Sequence, residues 1–247
     1  MLNKILDYSI ISPNIRIKRE DKNYTHVIVK GSPQRIKIPK KLNKELIYLF
    51  GAIVGDGHLS LIYRKNEKYP VLKLGIYNNS KKYLEKLNII FIKEFNQALR
   101  IYKKKGNNCF ALETGNKLIW LFFHKHLNIK NKKINLQVPK EIRDKNLFKY
   151  FLAGLFDTDG YYSETFGIML GGTHYELLDH IKELSQQYHG IKFLGPRMNI
   201  LRTNGKTYKR CYMKTSTYSN HKFRKVIPLM HEKYMSPPGF EPGTTTL

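Results

Sequence analysis

One nine-residue pattern occurs twice in the chain, so whatever it folds into is built from a duplicated unit. The copies are Leu49-Phe50-Gly51-Ala52-Ile53-Val54-Gly55-Asp56-Gly57 and Leu152-Ala153-Gly154-Leu155-Phe156-Asp157-Thr158-Asp159-Gly160. Self-similarity at a long period is the mark of a repeated structural element. Each copy is an apolar run that stops at an Asp-Gly pair. It reads as a helix ending on an aspartate, with the glycine free to take the left-handed conformation that terminates helices. An anion is out of place there, because the macrodipole is already negative and the charge is unfavourable by roughly 0.3 to 1 kcal/mol. Something cationic is expected to compensate.

Small residues say how the two helices meet. Gly51 and Gly55 in the first copy, and Gly154 and Thr158 in the second, stand four apart on one helix face. Such stripes let two backbones approach closely. With the stripes facing each other, Asp56 and Asp159 emerge together at the foot of the pair. Adjacent carboxylates repel unless a cation lies between them. Hard divalent ions such as Mg²⁺ favour oxygen ligands, and phosphodiester hydrolysis uses such ions to activate water. A single Asp-Gly pair is usually no more than a turn that ends a helix. Two of them in matching frames point to a metal nuclease site.

Around each copy the hydrophobic periodicity repeats one order of elements. After the first come strand-like runs at 58–64 and 69–77, then a helix at 80–99 with Ser80 as its N-cap. Strands at 100–104 and 108–114 flank a Gly106-Asn107 turn, and a helix covers 116–127. The second copy is followed by strands at 161–165 and 166–171, a helix at 174–188 and a hairpin at 193–216 turning at Asn204-Gly205. The expected fold is α/β (α+β), two pseudo-symmetric α-β-β-α-β-β-α halves at 46–127 and 147–234. Residues 1–45 form an extension with strand alternation at Val27, Val29, Ile36 and Ile38; 128–146 read as a linker and 235–247 as a disordered tail.

Lys and Arg number 44 against 19 acidic residues in a chain of 247, a formal charge of +25. A polyanionic partner is expected. The 17 Tyr and 13 Phe interleaved with the basic residues exclude a disordered basic tail and place the charge on a packed scaffold. The two cysteines, Cys109 and Cys211, form no Cys-x-x-Cys pair, so neither a zinc site nor a disulfide framework is suggested. No run approaches the apolar length of a membrane span, and the start lacks a secretion signal, so a cytoplasmic protein is expected. The histidines, His124 and His126 included, lack partners at zinc-ligand spacing and read as packed or surface residues.

These motifs resemble the paired dodecapeptides of the LAGLIDADG homing endonucleases, in the single-chain form that carries both copies. The second copy matches that word at Leu152, Ala153, Gly154, Leu155, Asp157, Asp159 and Gly160; the first keeps Leu49, Gly51, Ile53, Asp56 and Gly57. Ile38-Pro39 and Val138-Pro139, ahead of each helix, are also similar to phrases of archaeal and intein-associated members, so the resemblance runs over about 38–234. It implies a saddle of two antiparallel sheets on double-stranded DNA. Asp56 and Asp159 would each cut one strand, with the carbonyls of Gly55 and Thr158 completing metal ligation. The ion would be Mg²⁺, with Mn²⁺ able to substitute, and the protein a monomer. The family's supporting Lys or Gln falls at Asn78 and Asn79 in one half and at Gly171 and Gly172 in the other, which leaves Asn78, Lys73 and Lys214 as supporting candidates. Asp157, which Val54 replaces in the first copy, reads as structural.

Period-two reading gives the sheets a basic face independently of the resemblance. In the last hairpin Tyr208, Arg210, Tyr212 and Lys214 share one face, and Cys211 and Met213 the other, with Arg197 and Arg202 on the facing strand. Lys73, Gly75 and Tyr77 likewise oppose Leu72, Leu74 and Ile76, and Arg64, Lys65 and Lys68 cluster at a hairpin tip. Such residues can reach phosphates and base edges. The expected activity is site-specific double-strand cleavage by an intron-encoded enzyme. The alternative is an intron maturase or another non-cleaving nucleic-acid-binding protein of this fold, with intron RNA as partner. An intein is disfavoured, for want of a nucleophile at residue 1 and of a His-Asn pair at the end. The string Gly239-Phe240-Glu241-Pro242 is what GGN-TTY-GAR-CCN encodes, which can spell the T arm of a tRNA gene, so a tRNA gene is an expected host.

Overall fold

Two runs of alternating residues near the start, Val27 with Ile36 and Ile38, put their apolar side chains on one face of a small sheet. The computed structural model describes residues 15–29, 35–63, 71–106, 108–127, 137–163, 167–172, 174–203 and 206–228. In it β1 (Ile15–Glu20), β2 (Tyr24–Val29) and β3 (Arg35–Pro39) form an antiparallel sheet in the order β1-β2-β3. Val27, Ile36 and Ile38 are buried.

The first half follows. Helix α1 (Lys44–Gly55) starts where the Asn43 side chain accepts from the Leu46 amide at 2.9 Å, a cap worth about 1 kcal/mol. Leu46 through Val54 are all buried, as expected of a helix that is apolar all round. After it come β4 (Gly57–Ile62), β5 (Val71–Asn78), α2 (Lys81–Phe95), β6 (Arg100–Lys103), β7 (Phe110–Thr114) and α3 (Lys117–Leu127). Ser80 caps α2 as expected, accepting from Tyr83 at 3.2 Å. The helix stops at Phe95 rather than 99, because Asn96 takes a left-handed conformation at φ 54°. Leu99 is buried all the same, on the way into β6.

A turn of 3-10 helix at Lys140–Ile142 leads into the second half: α4 (Lys145–Asp159), β8 (Gly160–Ser163), β9 (Gly167–Gly172), α5 (Tyr175–His189), β10 (Phe193–Thr203), β11 (Lys206–Thr215) and α6 (Thr217–Val226). Helix α4 begins two residues inside the expected linker, since the Asp144 carboxylate accepts from the Asn146 and Leu147 amides at 2.8 and 3.2 Å. The sheets run β4-β5-β7-β6 and β10-β11-β9-β8. Taken from each half's first strand, both have the order first, second, fourth, third, so one topology is used twice. The Asn204-Gly205 turn and much of the expected linker lie outside the described residues, although the hairpin strands pair up to Thr203 with Lys206.

Each motif helix packs on the other through its glycines. A Cβ at Gly51 would fall 2.1 Å from the Phe151 carbonyl oxygen, and one at Gly154 would fall 2.0 Å from that of Tyr48. Backbone therefore touches backbone at both places. The glycines after the aspartates differ from expectation. Neither Gly57 nor Gly160 has a positive φ, and each begins a strand. They are needed for closeness instead: a Cβ at Gly57 would meet the Ile53 backbone at 2.5 Å, and one at Gly160 the Phe156 carbonyl at 2.3 Å. The chain turns from helix into strand with no room for a side chain.

Candidate metal centre

The two helix ends place the aspartates. Asp56 is the C-cap of α1 and Asp159 the last residue of α4, both half-buried. Because the stripes are in contact, the Asp159 carboxylate crosses to the other helix: its Oδ2 lies 3.3 Å from where a Gly55 Cβ would be. The Thr158 hydroxyl fills the remaining space, 2.0 Å from that same position, and donates back to its own helix at the Leu155 carbonyl, 2.8 Å away. Any side chain larger than hydrogen at residue 55 would push the second motif away. Gly55 and Thr158, like the aspartates they precede, are half-buried.

Strand β5 fixes the first aspartate. The Tyr77 amide donates to the Asp56 carbonyl at 3.2 Å, and the Asn78 side-chain amide donates to Asp56 Oδ2 at 2.8 Å. Of the three supporting candidates, Asn78 is the one brought to a motif carboxylate. Lys73 lies five residues back along β5 and pairs with Glu113 at 2.7 Å. Lys214 sits on β11 across from Met169 and Leu194. Gly171, expected to take the place of Asn78 in the second half, pairs with Tyr212.

The donors available to an ion are oxygens: two carboxylates and the adjoining carbonyls. Among the described residues no three His, Cys, Asp or Glu side chains converge. That chemistry suits a hard divalent cation completed by water better than a soft metal. Behind the carboxylates, Asp157 is fully buried and its carboxylate accepts from the Tyr48 hydroxyl, which lies 3.2 Å from that of Tyr83. Burial pushes both phenols up, helped by Asp157, so they stay neutral donors. This network ties α1, α2 and α4 together, consistent with a structural Asp157.

Each sheet buries one face and shows the other. In β5, Leu72, Leu74 and Ile76 are buried while Lys73 and Tyr77 are half-exposed. In β11, Cys211 and Met213 are buried, whereas Tyr212 and Lys214 are half-exposed, and Arg197 opposite Tyr212 is exposed. Arg202 lies on β10 and Tyr208 and Arg210 on β11, with side chains outside the described residues, as are Arg64, Lys65 and Lys68 altogether.

The sequence reading missed Glu113 on β7. Tyr77 and Tyr102 donate to it at 2.8 and 2.6 Å, and the ring of His58 stacks on Tyr77 with centroids 4.9 Å apart. Burial raises the Glu113 pKa, but the bonds from Lys73, Tyr102 and Tyr77 outweigh it and hold the carboxyl below its ordinary value. The available signal was the alternation in β7, which sets Glu113 opposite the buried Leu112.

Comparison with known proteins bears on this arrangement. Residues 148–226 match the model of a LAGLIDADG-like domain. The fold is similar to that of the homing endonuclease I-DmoI: mesophilic variants of it superpose with a TM-score of 0.58 at 19% identity, over 78% of this chain and 96% of theirs. I-DmoI in complex with DNA and Mn gives 0.55 at 20% identity, over 76% and 99%. The full-length DUF199/WhiA protein from Thermatoga maritima gives 0.51 at 16%, over 80% of this chain and 60% of that one. By sequence the chain is 29% identical over 148 residues to the glutamine--fructose-6-phosphate aminotransferase of Methanocaldococcus jannaschii, covering 59% of this chain. It is 27% identical over 219 residues, 80% of this chain, to the probable translation initiation factor IF-2 of the same organism. The matches span 12% and 18% of those two proteins, whose names describe unrelated activities. Residues 148–226 thus match a LAGLIDADG-like domain, within a chain that has the fold of the homing endonuclease I-DmoI.

Proposed function

We propose that this protein is a site-specific endonuclease that cuts both strands of duplex DNA, using Mg²⁺ or Mn²⁺ held by Asp56 and Asp159. The observation that carries the reading is the convergence of the two motifs, with the Asp159 carboxylate against Gly55 of the opposite helix. I-DmoI, which has a similar fold, has been solved with DNA and Mn and with DNA and Ca, which supports the use of a divalent metal. When bound, the ion would lower the pKa of its water and neutralise charge on the phosphate under attack. Asp56 and Asp159, with the carbonyls of Gly55 and Thr158, would hold it. Asn78 keeps Asp56 turned toward the site. The open faces of the two sheets, with Arg197, Tyr212 and Lys214 on one and Tyr77 on the other, would grip the duplex by its phosphates and grooves. Both halves come from one chain, so one copy suffices as a monomer. The reading frame would be carried by an intron, in a tRNA gene if the Gly239–Pro242 string reflects a T arm.

The test is cleavage of a plasmid bearing the intronless allele of the host gene. Linear product that requires metal and is abolished in Asp56→Asn and Asp159→Asn, with DNA binding kept, supports the reading. Normal cutting by either variant refutes the assigned chemistry. Tight binding to the intron RNA with no cutting would make the protein a maturase.

A further inference from the structure

We infer that Glu113 and Arg100 form a reading head for one G·C base pair of the DNA target; the inference rests on the cutting function proposed above. On the open face of the first sheet, the row His58, Gly75, Glu113, Arg100 runs across β4, β5, β7 and β6. Among the described residues of that face Glu113 is the one carboxylate. A negative charge facing phosphates repels its partner, so its presence in a chain of charge +25 calls for a specific use.

The surroundings are built to present it. A cleft of about 490 Å³ is lined by Lys73, Arg100, Tyr102 and Glu113 among others. Gly75 makes the space: a Cβ there would strike His58 Cε1 at 2.5 Å and Glu113 Cγ at 3.3 Å. A carboxylate has about four acceptor sites. At Glu113, Oε2 takes Lys73 at 2.7 Å and Tyr102 at 2.6 Å, while Oε1 takes Tyr77 at 2.8 Å. One acceptor site on Oε1 is thus left for an incoming donor. Beside it the exposed Arg100, paired with Glu113 across the sheet, rests its guanidinium over the Tyr102 ring at 5.1 Å, which orients the fork.

Two donors next to one acceptor complement guanine N7 and O6 followed by the amino group of the paired cytosine. An A·T pair offers acceptor, donor, acceptor and a methyl group in that groove, and does not match. Lys73, already bound to the carboxylate, is a positioning residue that holds it in place.

The experiment is selection of bound sequences from a randomised duplex pool by the full chain, by Glu113→Gln and by Arg100→Ala, with unfolding midpoints measured for each. The wild type is expected to yield a consensus containing a G·C pair at which both variants lose about tenfold in discrimination, all other positions being retained. Arg100→Ala changes an exposed side chain, so it reads the pair even if Glu113→Gln folds poorly. Variants that return the wild-type consensus, or that weaken binding to every sequence alike, overturn the assignment and leave the cutting function standing. A wild-type pool without any consensus overturns both.

Discussion

At the scale of single residues, the two halves are not equivalent around their aspartates. Asp56 accepts from Asn78 at 2.8 Å, whereas the position expected to match Asn78 in the second half holds Gly171, which has no side chain to donate. Asn78→Ala should therefore slow cutting of the strand served by Asp56 more than the other. Nicked circles would accumulate in the plasmid assay before linear product, with DNA affinity nearly unchanged; equal loss on both strands would show that Asn78 acts through the fold instead. The aspartates themselves were legible in the sequence because they recur in matching frames. Glu113 was not, because its meaning comes from Lys73, Tyr77 and Tyr102 on other strands, and cross-strand neighbours are set by register, which no local pattern states.

Among the elements, α1 and α4 carry the most structural information, and their contact is backbone on backbone. Gly51→Ala puts a methyl group 2.1 Å from the Phe151 carbonyl oxygen in a place where neither helix can retreat without separating the aspartates. A loss of about 3 kcal/mol is expected, on the order of a 10 °C fall in the unfolding midpoint. Gly172→Ala is the matched control: it has nothing within 4 Å of the added atom and should unfold close to wild type. Similar midpoints for the two would mean that the helix pair adjusts. The small-residue stripes were readable from spacing alone. Why glycine follows each aspartate was not, since an Asp-Gly pair in sequence signals a left-handed turn as readily as the tight helix-to-strand passage found at Gly57 and Gly160.

For the whole molecule, the polyanionic partner proposed for a chain of charge +25 would meet the open faces of the two four-stranded sheets. Binding to duplex DNA should weaken linearly in log–log terms as salt rises, and Lys214→Ala should flatten that slope by about 0.9 if its ammonium neutralises one phosphate. An unchanged slope would remove Lys214 from the interface. Among the described residues no helix is long and apolar enough to cross a membrane. What the sequence determined by itself is what repeats or alternates within a few residues: the duplicated helix with its aspartate, the order of strands and helices in each half, and the segregation of basic from apolar faces. Those follow from periodicity and turn chemistry, which act locally. Only the tertiary structure decided that the Asp159 carboxylate lies against Gly55, that Asn78 rather than Lys73 reaches Asp56, and that Glu113 stands among donors on the open face. These depend on how closely two helices approach and on which strands pair, and long-range packing alone sets both.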